Sequence, residues 1–249
     1  MSEAMAPAVR LTEVGLRDGL QNQPRFVDTD GKLALAGDLL AAGLRCLEVS
    51  SFVSPKAVPQ MADAEAVFAG LPARPDVRYT GLIANDRGYE RALAAGCRDL
   101  GLVIAATDTF NRRNINASVG EATARFEALL GRARADGVRT RLYVSCACAC
   151  PFEGDVAPDV VLGLAERFLA AGADEVSVAD TIGAGSPTRV DAIVRPLVRD
   201  HGEARVNLHV HDTRGQALAM IWAGWLAGDR KSTRLNSSHT HLSRMPSSA

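Results

Sequence analysis

Val14-Gly-Leu-Arg-Asp-Gly-Leu-Gln-Asn22 follows the first apolar run of the chain and decides between two ways of building a parallel sheet. In an open nucleotide-binding sheet, the turn after the first strand is Gly-rich so that the backbone can approach a phosphate. Gly15-Leu-Arg-Asp-Gly19 is not such a loop; it places a cation and a carboxylate, Arg17 and Asp18, where the strand ends. Polar residues crowd the ends of other apolar runs in the same way: Glu48 and Ser51, Asp180 and Thr181, His209 and His211. Chemistry gathered from many strand ends is how a closed barrel builds a site on its C-terminal face. The stretch therefore predicts an α/β fold of the (β/α)8 TIM-barrel type.

Working outward, β-branched apolar runs occur at 9–14, 46–52, 77–83, 100–106, 140–146, 175–179 and 206–211. Between them lie Ala/Leu/Arg-rich segments with helical spacing, at 32–42, 62–69, 87–95, 118–135, 158–171, 187–199 and 216–226. Gly43, Gly96, Gly137 and Gly172 stand where a helix should stop in a left-handed turn. This is the pattern of a parallel sheet, repeating at roughly 33 residues per unit. Only seven units are present.

The 249 residues suit one large domain, with 47% hydrophobic content and a net charge of −1. Near-neutral charge points to neither nucleic acid nor an anionic membrane surface. No apolar run approaches the ~20 residues a bilayer requires. The start of the chain lacks the charged and apolar regions of a signal peptide, and five cysteines form no disulfide framework. A cytoplasmic protein is expected.

In Asn207-Leu-His-Val-His-Asp-Thr213, strand alternation puts His209 and His211 on one face, about 7 Å apart. Alone, the pair reads equally well as two hydrogen-bonded histidines at a strand end. Asp18 can reach them across a barrel mouth, and Asp plus two His is a mixed O/N set suited to Mg²⁺, Mn²⁺ or Zn²⁺. Arg17 beside it would face anionic groups. Glu48, inside an apolar run, needs a partner, and Arg17 on the neighbouring strand is the natural one. Ser177 and Asp180 fall at another strand end, where a helix-capping Asp is the plainer reading. Cys146, Cys148 and Cys150 read as one face of the fifth strand, too spread for a thiolate cluster.

Six stretches together resemble the hydroxymethylglutaryl-CoA lyases, within the metal-dependent barrel lyases and Claisen-type synthases. They are VGLRDGLQN (14–22), EVSSFVSPKAVPQMAD (48–63), NIN (114–116), YVSCACACPFEG (143–154), DTIGAG (180–185) and HVHDTRGQALA (209–219). Leu16 departs from the pattern, which has Pro there. The resemblance implies retro-Claisen cleavage of 3-hydroxy-3-methylglutaryl-CoA to acetoacetate and acetyl-CoA, a step of leucine degradation and ketone-body formation. It implies Mg²⁺ or Mn²⁺ on Asp18, His209 and His211. It assigns catalysis to Arg17, Glu48, Asp180 and His209, and contacts to the acyl-CoA substrate to Gln21, Ser51 and Ser177. It also implies a homodimer for the full-length form. The alternatives are a condensing enzyme of the isopropylmalate or homocitrate synthase type, and a non-catalytic fragment.

The same resemblance calls for an eighth strand, a loop with a catalytic Cys and a further metal-binding Asn after the seventh helix. From Asp229 the composition instead turns to Ser, Arg, Thr and His, with no apolar period. His239 and His241 repeat the earlier spacing, but no strand is expected to hold them. The stretch resembles translated adapter sequence. The expectation is an incomplete barrel over 1–228 and a disordered, non-native tail over 229–249. Such a barrel would expose the edges of its first and seventh strands, with poor solubility and negligible turnover.

Overall fold

The computed structural model describes residues 9–235. Eight parallel strands form one sheet: β1 (Arg10–Thr12), β2 (Cys46–Ser51), β3 (Arg78–Ile83), β4 (Asp99–Ala105), β5 (Arg139–Ser145), β6 (Glu175–Asp180), β7 (Val206–His211) and β8 (Lys231–Leu235). Their spatial order is β1-β8-β7-β6-β5-β4-β3-β2. The remaining gap is bridged between Glu13 and Leu47, where Glu13 N–H donates to Cys46 O at 2.9 Å and Glu48 N–H to Glu13 O at 2.8 Å. The ring is thereby a barrel, as the strand-end chemistry predicts.

The helices α1 (Thr29–Ala41), α2 (Ala64–Gly70), α3 (Asp86–Ala94), α4 (Asp108–Ile115), α5 (Val119–Ala135), α6 (Pro158–Ala171), α7 (Pro187–His201) and α8 (Ala217–Leu226) surround it. Local chemistry sets their ends. Ser118 and Glu121 form a capping box at the start of α5, and Gly172, at φ 108°, ends α6 in the left-handed turn that a Cβ would disfavour. Alternate strand residues pack outward: Leu100, Leu102 and Ile104 of β4 join Phe126, Leu130 and Phe168 in the main apolar core. α4 was not expected; it is short, polar and carries no apolar period. Among the described residues no helix is long and apolar enough to cross a membrane.

Seven strand–helix units are present, but the eighth position is not open, which corrects the expectation that no strand follows Gly228. Lys231–Leu235 lies parallel to β1 on one side and β7 on the other. The reason is that strand pairing is main-chain chemistry, and two unsatisfied edges recruit an extended segment without an apolar pattern. Gly228, at φ 104°, turns the chain out of α8. The Asp229 carboxylate then accepts from Lys231 N–H and Ser232 Oγ–H, both at 2.8 Å. Lys231 Nζ donates to Glu175 at 2.8 Å, so the buried cation has a partner. The remainder of the expected tail, 236–249, lies outside the described residues.

The inward-facing residues at the N-terminal end of the barrel are charged. Glu175, fully buried, receives Arg141 at 3.0 and 2.8 Å, Arg78 at 3.3 Å, Lys231 and Arg139. Burial pushes the Glu175 carboxyl up, but Arg141, Lys231 and Arg139 together hold it well below its ordinary value of 4.5. A carboxylate whose folded pKa is depressed stabilises the protein above its unfolded value and loses that contribution as pH falls. Glu175→Gln strands several buried cations and is expected to cost about 3–5 kcal/mol. Denaturant titration checks this, and the deficit should shrink below about pH 4.5, the ordinary carboxylate value. Ending the chain at Gly228 should expose the edges of β1 and β7 and raise the aggregated fraction on size-exclusion with light scattering. An unchanged profile and melting temperature would show that β8 contributes nothing to closure.

Candidate metal and substrate site

Arg17 and Asp18 do not sit on β1 itself but in the turn after it. Gly15–Gly19 forms a single wide π-type turn, with Gly19 N–H donating to Val14 O at 3.3 Å. Such turns are frequent at functional sites because the extra residue re-aims side chains. Here both side chains are turned into the barrel, Arg17 3% and Asp18 4% exposed.

Two partners make the burial of Arg17 tolerable. Its Nε donates to Glu48 Oε1 and its Nη1 to Asp18 Oδ1 at 3.1 Å. Glu48, on β2 and fully buried, is also held from the far side of the barrel, because Tyr143 of β5 donates its phenol to Oε2. The Tyr143 oxygen accepts from Arg141 Nη1 at 3.3 Å. Gly101 permits this reach, since a Cβ there would stand 3.0 Å from the Tyr143 ring and 3.7 Å from Glu48 Oε2. Burial works against the Arg17 charge, but Glu48 and Asp18 outweigh it and raise the pKa above the ordinary value.

The Asp18 carboxylate closes on the two histidines of β7. Asp18 Oδ2 is 3.1 Å from His211 Nε2 and 3.6 Å from His209 Nε2. One ligand atom from each of the three residues lies within 4.8 Å of the others. His211 Nδ1 is 2.9 Å from the Asp180 carbonyl, which can only accept, so Nδ1 carries a proton and Nε2 is the ring atom turned towards Asp18. A main-chain carbonyl behind a histidine is the arrangement that orients a metal ligand. His209 Nδ1 is buried with no hydrogen-bond partner among the described residues. Burial raises the Asp18 carboxyl, but Arg17 and both histidines bring it well below the carboxylate range. Burial lowers His209, keeping it neutral; it lowers His211 as well, yet the contact with Asp18 leaves that residue raised overall. An ionised carboxylate with two converging imidazoles fits a divalent cation with open positions.

The other predicted site residues divide. Gln21 and Ser51 line one small cavity at the same barrel end, about 30 Å³, with Leu82, Val103 and Asn114 in its walls. Asn114, from the unexpected α4, is 6% exposed and its Nδ2 has no partner among the described residues. Ser177 is fully buried and donates to Asn207 at 2.6 Å, deeper in the barrel. The Asp180 carboxylate is not brought to the triad. It follows Ala179 on β6 and alternates to the outer side, accepting from Ala184 N–H at 3.1 Å and Gly185 N–H at 3.0 Å. Burial raises its pKa. Only its carbonyl reaches His211.

The cysteine row on β5 is also corrected. The strand ends at Ser145, and Cys146 takes a left-handed conformation at φ 57°. Cys146 N–H donates to Thr181 Oγ1 at 2.8 Å and Ala147 N–H to Ala179 O at 3.0 Å, which drags the chain across towards β6. The bend brings the Cys146 thiol against that of Cys150. No cysteine sulfur joins the Asp18–His209–His211 group among the described residues. Tyr143 and Asn114 were missed. Both stand in stretches that carried the family resemblance, but nothing in their spacing marked the partners they find across the barrel.

A family model described as HMGL-like matches residues 8–233. The chain is 44% identical over 220 residues to a 3-hydroxy-3-isohexenylglutaryl-CoA/hydroxymethylglutaryl-CoA lyase of Pseudomonas aeruginosa, covering 88% of this chain and 73% of that one. It is 42% identical over 223 residues to the hydroxymethylglutaryl-CoA lyase of Pseudomonas mevalonii, covering 90% and 74%. Among solved structures it superposes on an HMG-CoA lyase from Acinetobacter baumannii in complex with coenzyme A and 3-methylmalate. The TM-score there is 0.91 at 32% identity, over 98% of this chain and 81% of the other.

Tyr143→Phe removes the phenol that satisfies Glu48 Oε2 and should cost about 1–3 kcal/mol, the penalty for an unpaired buried acceptor. Urea titration measures it, and a change within error would show that the cross-barrel contact carries no weight.

Proposed function

Because the chain belongs to the HMGL-like family, we propose that its barrel is built for divalent-metal-dependent cleavage of 3-hydroxy-3-methylglutaryl-CoA to acetoacetate and acetyl-CoA. The observation that carries the reading is the convergence of Asp18, His209 and His211 beside a guanidinium fixed by Glu48. Asp18, His209 and His211 would hold Mg²⁺ or Mn²⁺, which when bound acidifies a chelated hydroxyl and polarises oxygen.

The chain's own residues supply the remainder. Arg17 spends Nε on Glu48 and Nη1 on Asp18, and Nη2 has no partner among the described residues. It is the donor placed to stabilise the oxygen on which charge develops as the carbon–carbon bond breaks. Glu48 and Tyr143 are positioning residues that keep the guanidinium from swinging. His209, kept neutral by burial, would give its one lone pair to the metal and so orient the ion that acidifies the hydroxyl. Asp180 positions His211 through its carbonyl, and its carboxylate shapes the loop before α7. Gln21, Ser51 and Asn114 offer polar contacts to the acyl group, and Asn114 Nδ2 has no hydrogen-bond partner among the described residues. Ser177 acts through Asn207.

Metal titration and a thioester-cleavage assay test the proposal. His211→Ala and Asp18→Ala should each weaken Mn²⁺ binding at least tenfold, while Arg17→Gln should retain Mn²⁺ and lose turnover by a factor of about 10² or more. Turnover of the unmodified chain should stand well below that of a relative assayed beside it, because among the described residues no thiol joins the triad. Equal turnover would overturn that part, and Mn²⁺ affinity indifferent to His211→Ala would overturn the metal assignment.

A further inference from the structure

The barrel has a second opening, at the end where its strands begin, and it is far larger than the cavity beside Gln21. It encloses about 1270 Å³ and is lined from the starts of β1, β2, β3, β4, β5 and β8. None of Asp18, His209 and His211 lines it. Its described rim carries Arg10, Arg45, Arg98 and Arg230, and its floor Arg78, Arg139 and Lys231. The carboxylates in its lining are Asp76, Asp99 and Glu203, with Glu175 directly beneath on Arg78, Arg139 and Lys231. Seven cations thus face four carboxylates.

Part of this charge has a structural cause. The helices end on this side, and their last carbonyls attract cations. Arg45 Nη1 bonds Leu40 O at 3.0 Å, Arg98 Nη1 bonds Leu93 O at 3.4 Å and Arg230 Nη1 bonds Trp225 O at 2.9 Å. Capping uses one nitrogen of each guanidinium. It does not account for Arg10, Arg78, Arg139 and Lys231, which come from strands and converge on the same space.

Two polar atoms in this lining are buried without a hydrogen-bond partner among the described residues. They are Arg230 Nε, whose nearest carboxylate, Glu203, is 3.9 Å away, and Asp99 Oδ2 on a residue 7% exposed. Asp99 Oδ2 has Arg78 at 3.4 Å and Arg139 at 3.5 Å, distances of charge attraction without hydrogen-bond geometry. Asp99 Oδ2 is an acceptor, and Arg45 Nε pairs with Asp76 at 3.1 Å. Among the described residues the lining cations with no carboxylate within 3.5 Å are Arg10, Arg98 and Arg230, held in a concave, partly desolvated space where like charges reinforce one another's field. Guanidinium forks in that number match the paired oxygens of phosphate groups.

We propose that this cavity binds an oligophosphate anion, such as the phosphate chain of a nucleotide-like small molecule, on the barrel face opposite the metal triad. The site uses Arg10, Arg45 and Arg98 at the rim and Arg78 and Arg139 at the floor. It is independent of the lyase reading.

Isothermal titration of the full chain with pyrophosphate, in EDTA so that no divalent cation mediates contact, tests it. Saturable binding is expected, weakening steeply as salt is raised. Arg10→Glu with Arg98→Glu should weaken it at least tenfold, while His209→Ala with His211→Ala should leave it within twofold. Should the double arginine variant lose its circular-dichroism signature, the exposed Arg10→Glu alone is read, with at least threefold weakening expected. No saturable binding, binding unmoved by the arginine variants, or binding abolished by the histidine variants would each overturn the proposal.

Discussion

A guanidinium buried against a carboxylate at the heart of the barrel is the constraint from which the site follows. Arg17 and Glu48 are both almost wholly removed from water. Each would be costly alone, and removal of either leaves an uncompensated charge in a place where water cannot compensate it. Their pairing ties the turn after β1 to β2, beside the narrow join at which Glu13 bridges Leu47. The pair therefore reinforces the main-chain closure at Glu13 and fixes the side chain beside Asp18. Stability and positioning thus share the same atoms.

From that pair a line of polar contacts runs through the interior. Arg141 holds the Tyr143 oxygen, Tyr143 holds Glu48, Glu48 holds Arg17, Arg17 holds Asp18, and Asp18 faces His211, which rests on the Asp180 carbonyl. At its lower end Arg141 grips Glu175, where Lys231 of β8 also docks. The barrel core is thus apolar between sheet and helices but substantially ionic within the ring. Interiors of this kind specify geometry more sharply than oil-like ones, because every group has a required partner.

The legible and illegible parts of the sequence separate along physical lines. Strand and helix periodicities, the glycine stops and the His-x-His alternation are local, and the structure contains the elements they describe. The partnership of Arg17 with Glu48 was legible because a carboxylate in an apolar run demands a cation. Tyr143 was not, since its role depends on a span across the barrel that Gly101 alone makes room for. At Asp180 the strand-end position left a capping role open beside a catalytic one; alternation from the inward Ser177 turns its carboxylate to the Ala184 and Gly185 N–H groups and sets its carbonyl on His211. The bend at Cys146 is held by Thr181 and Ala179, two groups from another strand. The last strand lay beyond any hydropathy argument. Its composition is that of a loop, and its partners are main-chain edges distant in sequence.

That strand has an implication for how the barrel treats foreign chain. Lys231–Leu235 is gripped along both sides by ladder bonds and pinned at its start by Asp229 and Glu175, all of which read backbone shape and one or two polar heads. The slot between β1 and β7 is in this sense a socket with little sequence discrimination. Covalent attachment gives Lys231–Leu235 a high effective concentration there, but the ladder itself makes no demand for it. A barrel lacking its last strand is a ready acceptor for a short extended peptide, and strand complementation offers a handle for switching such a ring between open and closed forms.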